Sequence, residues 1–312
     1  MTGYRGRFAP TPSGDLHLGH ARTALVAWLR ARQARGQFML RVEDLDAPRT
    51  QPGSEARILA DLRWLGLDWD EGPDVGGACG PYRQSERDAL YQVALGTLRA
   101  QGLAYPCTCS RQDIARVSQA PHGLEELGRR YPGTCRQGPT QPGRPEAWRF
   151  RTPLVLEPVR GVNDRPLQVD VGGWDFVLRR ADGLWAYQLA VVVDDIAMGV
   201  TEVVRGADLL LSTPWQVALY RALGTQPPDF LHLPLLTDSA GQRLAKRHPA
   251  LQLSVLRAQG VRADALRGWL AASLMLAADA APLSMPELRR RAEAHTPVVR
   301  VWPLSTLQRA RA

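Results

Sequence analysis

Lys246 is the only lysine among 39 lysine and arginine residues. It lies in the segment DSAGQRLAKRHPA, residues 238–250, where small residues leave the backbone pliant. A compact ammonium on a flexible stem can follow a departing anion, which the rigid fork of arginine does less well. His17 and His20 stand about one helical turn apart where a Pro/Gly-rich loop, PTPSGDLHLGH, runs into a helical pattern. The free amides and dipole of a helix start hold phosphate oxygens, both imidazoles can face such a phosphate, and Gly19 between them lets a base or ribose approach. Glu43 and Asp44 follow one apolar run, and Arg205 follows another. Cys107 and Cys109 form C-x-C, and with Cys135 they supply the thiolates of a metal site that lacks its fourth ligand. On residue type alone His122 is the first candidate for that ligand, while Cys79 reads as an ordinary free cysteine.

The elements that must position these groups follow from the hydrophobic pattern. A short strand around Arg5 to Ala9 is broken by PTPSG; Leu18, Ala21, Leu25, Trp28 and Leu29 then recur at helical spacing, and FMLRV makes a second strand. This βαβ opening predicts an α/β fold with a parallel sheet. Ile58, Leu59, Leu62 and Leu65 share one face of a further helix, and another spans roughly 85–101. Residues 119–147 turn to Gly, Pro, Arg and Gln and predict an irregular insertion. Alternation in WRFRTP and WDFVLRRADGLWAYQL suggests antiparallel strands returning toward the sheet. TEVVRG and FLHLPLL then read as buried parallel strands around the helix STPWQVALYRALG, and the remainder, including ADALRGWLAASLMLAA, reads as helical. Ligands of open α/β sheets sit beyond the carboxyl ends of the strands. The HLGH loop, Glu43, Arg205 and the Lys246 segment all fall there, so they are expected on one rim.

A length of 312 residues predicts two or three structural units. A net charge of +8 points to a polyanionic partner. Four cysteines are too few for a secreted disulfide framework, and neither a signal-peptide core nor a stretch long enough to cross a bilayer is evident, so a cytoplasmic protein is expected.

RFAPTPSGDLHLGHARTAL resembles the first signature of class I aminoacyl-tRNA synthetases of the glutamyl and glutaminyl branch, and RLAKR at 243–247 resembles their second, lysine-bearing signature. RVEDLDAPR, LGLDWDEGP, GPYRQSER, YPCTCSR, AYQLAVVVDD and VVRGADLL agree, so the likeness runs almost without a gap from Arg5 to about Leu253. It implies a Rossmann-like parallel-sheet catalytic domain in two parts, 1–100 and 185–250. Between them it implies a zinc-bearing α+β insertion at 101–184, and after them a short helical C-terminal region at 251–312.

The implied substrates are ATP with Mg2+, L-glutamate and a tRNA, handled by a monomer. His17, Gly19, His20 and Lys246 would bind ATP; His17, His20 and Lys246 would serve its chemistry. Arg7 and Arg205 would take the glutamate carboxylates, in an order left open, and Glu43 the ammonium. Tyr187 and the stretch Arg7, Phe8, Ala9, Pro10 and Thr11 would line the same pocket. One structural zinc would rest on Cys107, Cys109, Tyr131 and Cys135, with His122 the alternative to Tyr131. The family's usual hydroxyl residue before the lysine is replaced by Ala245. Only some sixty residues follow the lysine, so the likeness is to the truncated branch that attaches glutamate to the queuosine base of tRNA(Asp). Charging of tRNA(Glu), or a catalytically dead zinc-containing RNA-binding paralogue, are the alternatives.

Overall fold

A computed structural model describes residues 3–110, 112–114, 131–156, 159–160, 166–167, 172–236 and 249–294. In chain order its main elements are β1 (Arg5–Phe8), α1 (Leu18–Gln33), β2 (Gln37–Leu40), α2 (Ser54–Leu65), α3 (Asp88–Ala100), β3 (Ala104–Cys107) and β4 (Ala147–Phe150). The short β5 (Val159–Arg160) and β6 (Pro166–Leu167) follow, then β7 (Val177–Arg179), α4 (Tyr187–Ala197) and β8 (Glu202–Gly206). The last are α5 (Thr213–Ala222), β9 (Asp229–Leu233), α6 (Leu253–Ala258), α7 (Ala263–Ser273) and α8 (Met285–Ala294). Two compact units divide the chain. The first takes Met1–Arg83, Thr201–Ala207 and Leu231–Ala312; the second takes Gln84–Val200 and Asp208–Phe230.

The first unit is built on a sheet of order β2-β1-β8-β9, with β1 parallel to both of its neighbours. Helix α1 buries the expected Leu18, Ala21, Leu25, Trp28 and Leu29, but also Arg22, Ala24, Val26 and Ala27. A one-sided stripe would suffice for a surface helix. Here α1 packs on β1, β2 and β8 and also meets α8, so most of its circumference is covered. Leu253, Leu256, Leu266, Trp269, Leu270 and Leu288 from the C-terminal helices join Leu25, Phe38, Leu40, Leu62 and Val204 in one core. The apolar run behind α7 continues past its end. Met275 turns left-handed at φ 57°, and the Leu276 amide closes on the Ala271 carbonyl at 2.9 Å. That closure satisfies an end carbonyl of the helix and stops it at Ser273.

In the second unit, β3, β4 and β7 form a separate antiparallel sheet, paired from Ala104↔Phe150 to Cys107↔Ala147 and then at Arg149↔Val177. The alternating segments therefore make their own sheet instead of returning to the parallel one. Alternation reports one covered face but not which element covers it. Behind this sheet the fully buried Asp194 of α4 accepts hydrogen bonds from Gln84 Nε2 at 2.7 Å, Arg87 Nε at 2.6 Å and Tyr91 Oη at 3.0 Å. The motif segments GPYRQSER and VVVDD are thus tied by a satisfied buried charge, a structural role. No helix among the described residues is long and apolar enough to cross a membrane.

Candidate active site

Main-chain hydrogen bonds set Glu43 beside the Arg7–Thr11 stretch in the first unit. The β1–β2 ladder, Arg7↔Met39 and Phe8↔Leu40, continues beyond both strands through Arg41 N–H to the Phe8 carbonyl at 3.0 Å and Glu43 N–H to the Pro10 carbonyl at 3.0 Å. Glu43 is thereby held beside the turn from Arg7 to Thr11. On the other edge Gly6 pairs with Glu202 of β8, the strand that carries Arg205. Arg7 and Arg205 are both buried, at 5% and 4% exposure, so neither is a solvated surface cation. Tyr187 opens α4 in the second unit.

His17 is the N-cap of α1, and its Nδ1 accepts the Gly19 amide at 3.0 Å. An imidazole accepting at Nδ1 carries its proton at Nε2, so the opposite edge of the ring is a donor. The exposed His20 ring stacks on it, with centroids 3.7 Å apart, and the first turn of α1 holds no acidic residue. Gly19 has a more local use than ligand access. A Cβ there would meet His17 Cε1 at 2.9 Å, so glycine is what lets the His17 ring fold over the helix start.

Lys246 and Ala245 lie outside the described residues, as does His122. What precedes and follows the lysine segment is described. Arg22 of α1 donates to the Pro234 carbonyl just after β9, and the Leu253 amide donates to the Leu16 carbonyl at 2.8 Å. Next to that bond His17 bridges Gln252. Both flanks of the lysine segment are therefore anchored to α1 or to the loop that enters it.

In the second unit the thiols of Cys107, Cys109 and Cys135 lie within 4.8 Å of one another. Tyr131 Oη stands 3.3 Å from Cys107 Sγ and 3.7 Å from Cys109 Sγ, and the Cys109 and Cys135 sulfurs are 3.5 Å apart. A tetrahedron with metal–sulfur bonds of ~2.3 Å has edges of roughly 3.8 Å, so these donors fit a zinc-sized centre. Burial opposes a thiolate at Cys135, but the Thr140 hydroxyl and the backbone at Thr140 and Thr108 outweigh it and bring that thiol down to about 6. Burial pushes the Cys109 thiol the other way. The residue after Cys135 is pinned as well, because Arg136 Nε and Nη2 both reach the Asp175 carboxylate at 2.6 Å.

The family model for tRNA synthetases class I (E and Q), catalytic domain, matches residues 4–281. The chain belongs to this family. A protein of Symbiobacterium thermophilum named glutamyl-Q tRNA(Asp) synthetase is 54% identical over 274 residues, 85% of each chain. One of the same name from Deinococcus radiodurans is 50% identical over 264 residues, 82% of this chain and 83% of its own. A glutamate tRNA ligase from Elizabethkingia meningosepticum, crystallised with its amino acid, superposes with a TM-score of 0.79 at 26% identity. That match covers 99% of this chain and 68% of the ligase.

As a class I synthetase the chain carries residues at the site that motif reading passed over. Arg41 is fully buried and its Nη2 meets Glu43 Oε1 at 3.1 Å, which fixes the carboxylate. His232 Nε2 accepts from Arg205 Nε at 3.3 Å. Burial and the Arg205 cation push that imidazole down to about 3, so it stays neutral and able to accept. Both were visible as polar letters inside the apolar runs FMLRV and FLHLP, a pattern that marks a paired buried group.

Proposed function

We propose that this synthetase activates L-glutamate with ATP and transfers the glutamyl group to the queuosine base in the anticodon of tRNA(Asp). The observation that carries this reading is the 54% identity, over 85% of both chains, to a protein bearing that name. In the first step a glutamate carboxylate oxygen attacks the α-phosphorus of ATP, held as its magnesium complex, and pyrophosphate leaves. In the second, a hydroxyl of the queuosine cyclopentene-diol attacks the activated carbonyl; an ester forms, AMP leaves, and the hydroxyl proton passes to solvent.

Neither step needs a covalent enzyme intermediate, so the protein acts by positioning and by stabilising phosphate charge. The Nε2 edge of His17, the adjoining His20 and the Gly19 backbone would hold the phosphates at the α1 N-terminus. Lys246 would follow the departing pyrophosphate. Arg7 and Arg205 would pair with the carboxylates of glutamate and Glu43 with its ammonium. The turn from Arg7 to Thr11 would complete the pocket.

Cys107, Cys109, Tyr131 and Cys135 would hold one zinc ion, whose chemistry is structural cross-linking of the segments that carry them. On this reading residues 1–100 and 185–250 form the catalytic domain, 101–184 the zinc-bearing insertion and 251–312 the helical C-terminal region.

The deciding experiment supplies labelled glutamate and ATP with tRNA from cells that make queuosine and from cells that do not. Labelling only of the queuosine-containing tRNA is expected. Equal labelling of both would overturn the queuosine assignment, labelling of tRNA(Glu) would indicate ordinary charging, and absence of glutamate-dependent ATP–pyrophosphate exchange would exclude an active ligase.

A further inference from the structure

Three thiolates and a phenolate around a zinc dication leave a doubly negative centre, and burying such a charge without compensation is costly. Cys107, Tyr131 and Cys135 are all buried, so solvent supplies little of that compensation. Among the described residues, one cation is placed to do so. Arg149 of β4, 7% exposed, donates from Nε to Cys107 Sγ at 3.2 Å. The same guanidinium lies over the Tyr131 ring, Cζ 3.9 Å from its centroid, and its Nη1 reaches the Asp175 carbonyl at 3.4 Å. Tyr131 Oη also accepts the Cys135 amide at 2.8 Å. The tyrosine is thus gripped at its face by Arg149 and at its oxygen by the main chain of another ligand.

We propose that Arg149 is a positioning residue of the metal centre: it braces Cys107 and Tyr131 in mutual register and offsets the charge of the loaded site. This rests on the reading of the cluster as a zinc site. The strand pairing explains why the residue can reach both donors. Arg149 is paired with Tyr105 on β3, two residues before Cys107, so its side chain leaves the sheet next to the strand end that carries the ligand. The chemistry explains why it is arginine. A planar guanidinium offers its face to an aromatic ring and an edge N–H to a sulfur at the same time, whereas an ammonium has no face to stack. Partners of this kind, one bond removed from the metal, typically change metal affinity 10- to 100-fold when lost.

The test uses the full chain with Arg149→Met, which keeps bulk and removes the charge, and Arg149→Lys, which keeps the charge and removes the fork. Zinc affinity is read by chelator competition, ligand geometry by the thiolate-to-metal absorption of the Co2+ form, and melting temperature with and without metal. Wild-type protein is expected to bind one zinc, about 10- to 100-fold more tightly than Arg149→Met, with Arg149→Lys between them and both variants showing altered Co2+ spectra. Removal of a merely structural side chain would lower the melting temperature of metal-free and zinc-loaded protein equally and leave the affinity unchanged, which would overturn the proposal. If Arg149→Met does not fold, Arg149→Lys decides: wild-type affinity with a wild-type Co2+ spectrum would overturn it. Wild-type protein that binds no zinc would overturn the zinc reading itself, a separate failure.

Discussion

The strand-end site of the first unit and the cysteine cluster of the second are assembled by different forces. At the strand ends, backbone hydrogen bonds do the placing: Glu43 sits beside Pro10 because its own amide bonds there, and β8, which carries Arg205, is paired to β1 at Gly6↔Glu202. The cluster has one of its cysteines on a strand; the others, with Tyr131, lie on loops that side chains hold, through Arg136 to Asp175 and Arg149 over the Tyr131 ring. Register is shared over whole strands and survives the loss of a single side chain. A side-chain scaffold does not, so substitutions should separate function from folding in the first region and merge them in the second.

The largest expected effect is functional. Arg205→Met removes a buried cation that is proposed to meet a substrate carboxylate. Losing one partner of a buried, hydrogen-bonded charge pair costs roughly 3–5 kcal/mol, or on the order of a thousandfold. Glutamate-dependent ATP–pyrophosphate exchange should lose that factor in kcat/KM, while the melting temperature changes little. A large fall in melting temperature would show that the strand-end charges also support the fold and would erase the contrast.

Asp175→Asn should do the opposite. The Asp175 carboxylate, fully buried, takes both Arg136 bonds, the Thr152 amide at 2.9 Å and the Tyr105 hydroxyl. Breaking such a pair costs about 3–5 kcal/mol of stability. Calorimetry should show that loss, and zinc should be released more readily because Arg136, the residue beside Cys135, is no longer anchored. Unchanged melting with unchanged zinc retention would refute the scaffold account.

Gly19→Ala tests the smaller question of what that glycine is for. The added methyl collides with the His17 ring at 2.9 Å and should turn it off the helix start, lowering exchange by about tenfold, within the range of one well-placed polar contact. If only the KM for ATP rises, with kcat intact, glycine serves ligand access instead of the His17 ring.

What could be read beforehand divides along the same line. The strand ends and the helix start that carry Arg7, His17, Glu43 and Arg205 were legible because they are local events with period and punctuation. C-x-C and the later Cys135 were legible as donors, and the spacing of the sulfurs and Tyr131 Oη agrees with that reading. The shell around them was not. Arg149 and Asp175 are joined to the cluster only by packing between strands and loops far apart in the chain, for which no single-sequence period exists. Likewise the alternation in WRFRTP fitted a strand but carried nothing about which sheet it joins.

The smallest predicted effect probes whether a side chain also matters at the strand ends. His232 is held near a pKa of about 3 by burial and by Arg205, whereas an unfolded histidine titrates near 6.5. The unfolded chain therefore takes up the proton first as pH falls. Stability tied to His232 is complete above pH ~6.5 and is lost progressively as pH drops toward the folded value. His232→Gln keeps an acceptor for Arg205 but has no proton to gain. Its melting temperature should fall less than that of the wild type between pH 7 and pH 5, with the KM for glutamate near normal. His232→Leu, which removes the acceptor, should flatten the pH dependence equally but raise that KM severalfold. If both variants keep the wild-type acid dependence, His232 does not control it; if both keep the wild-type KM, main-chain register alone suffices to aim Arg205.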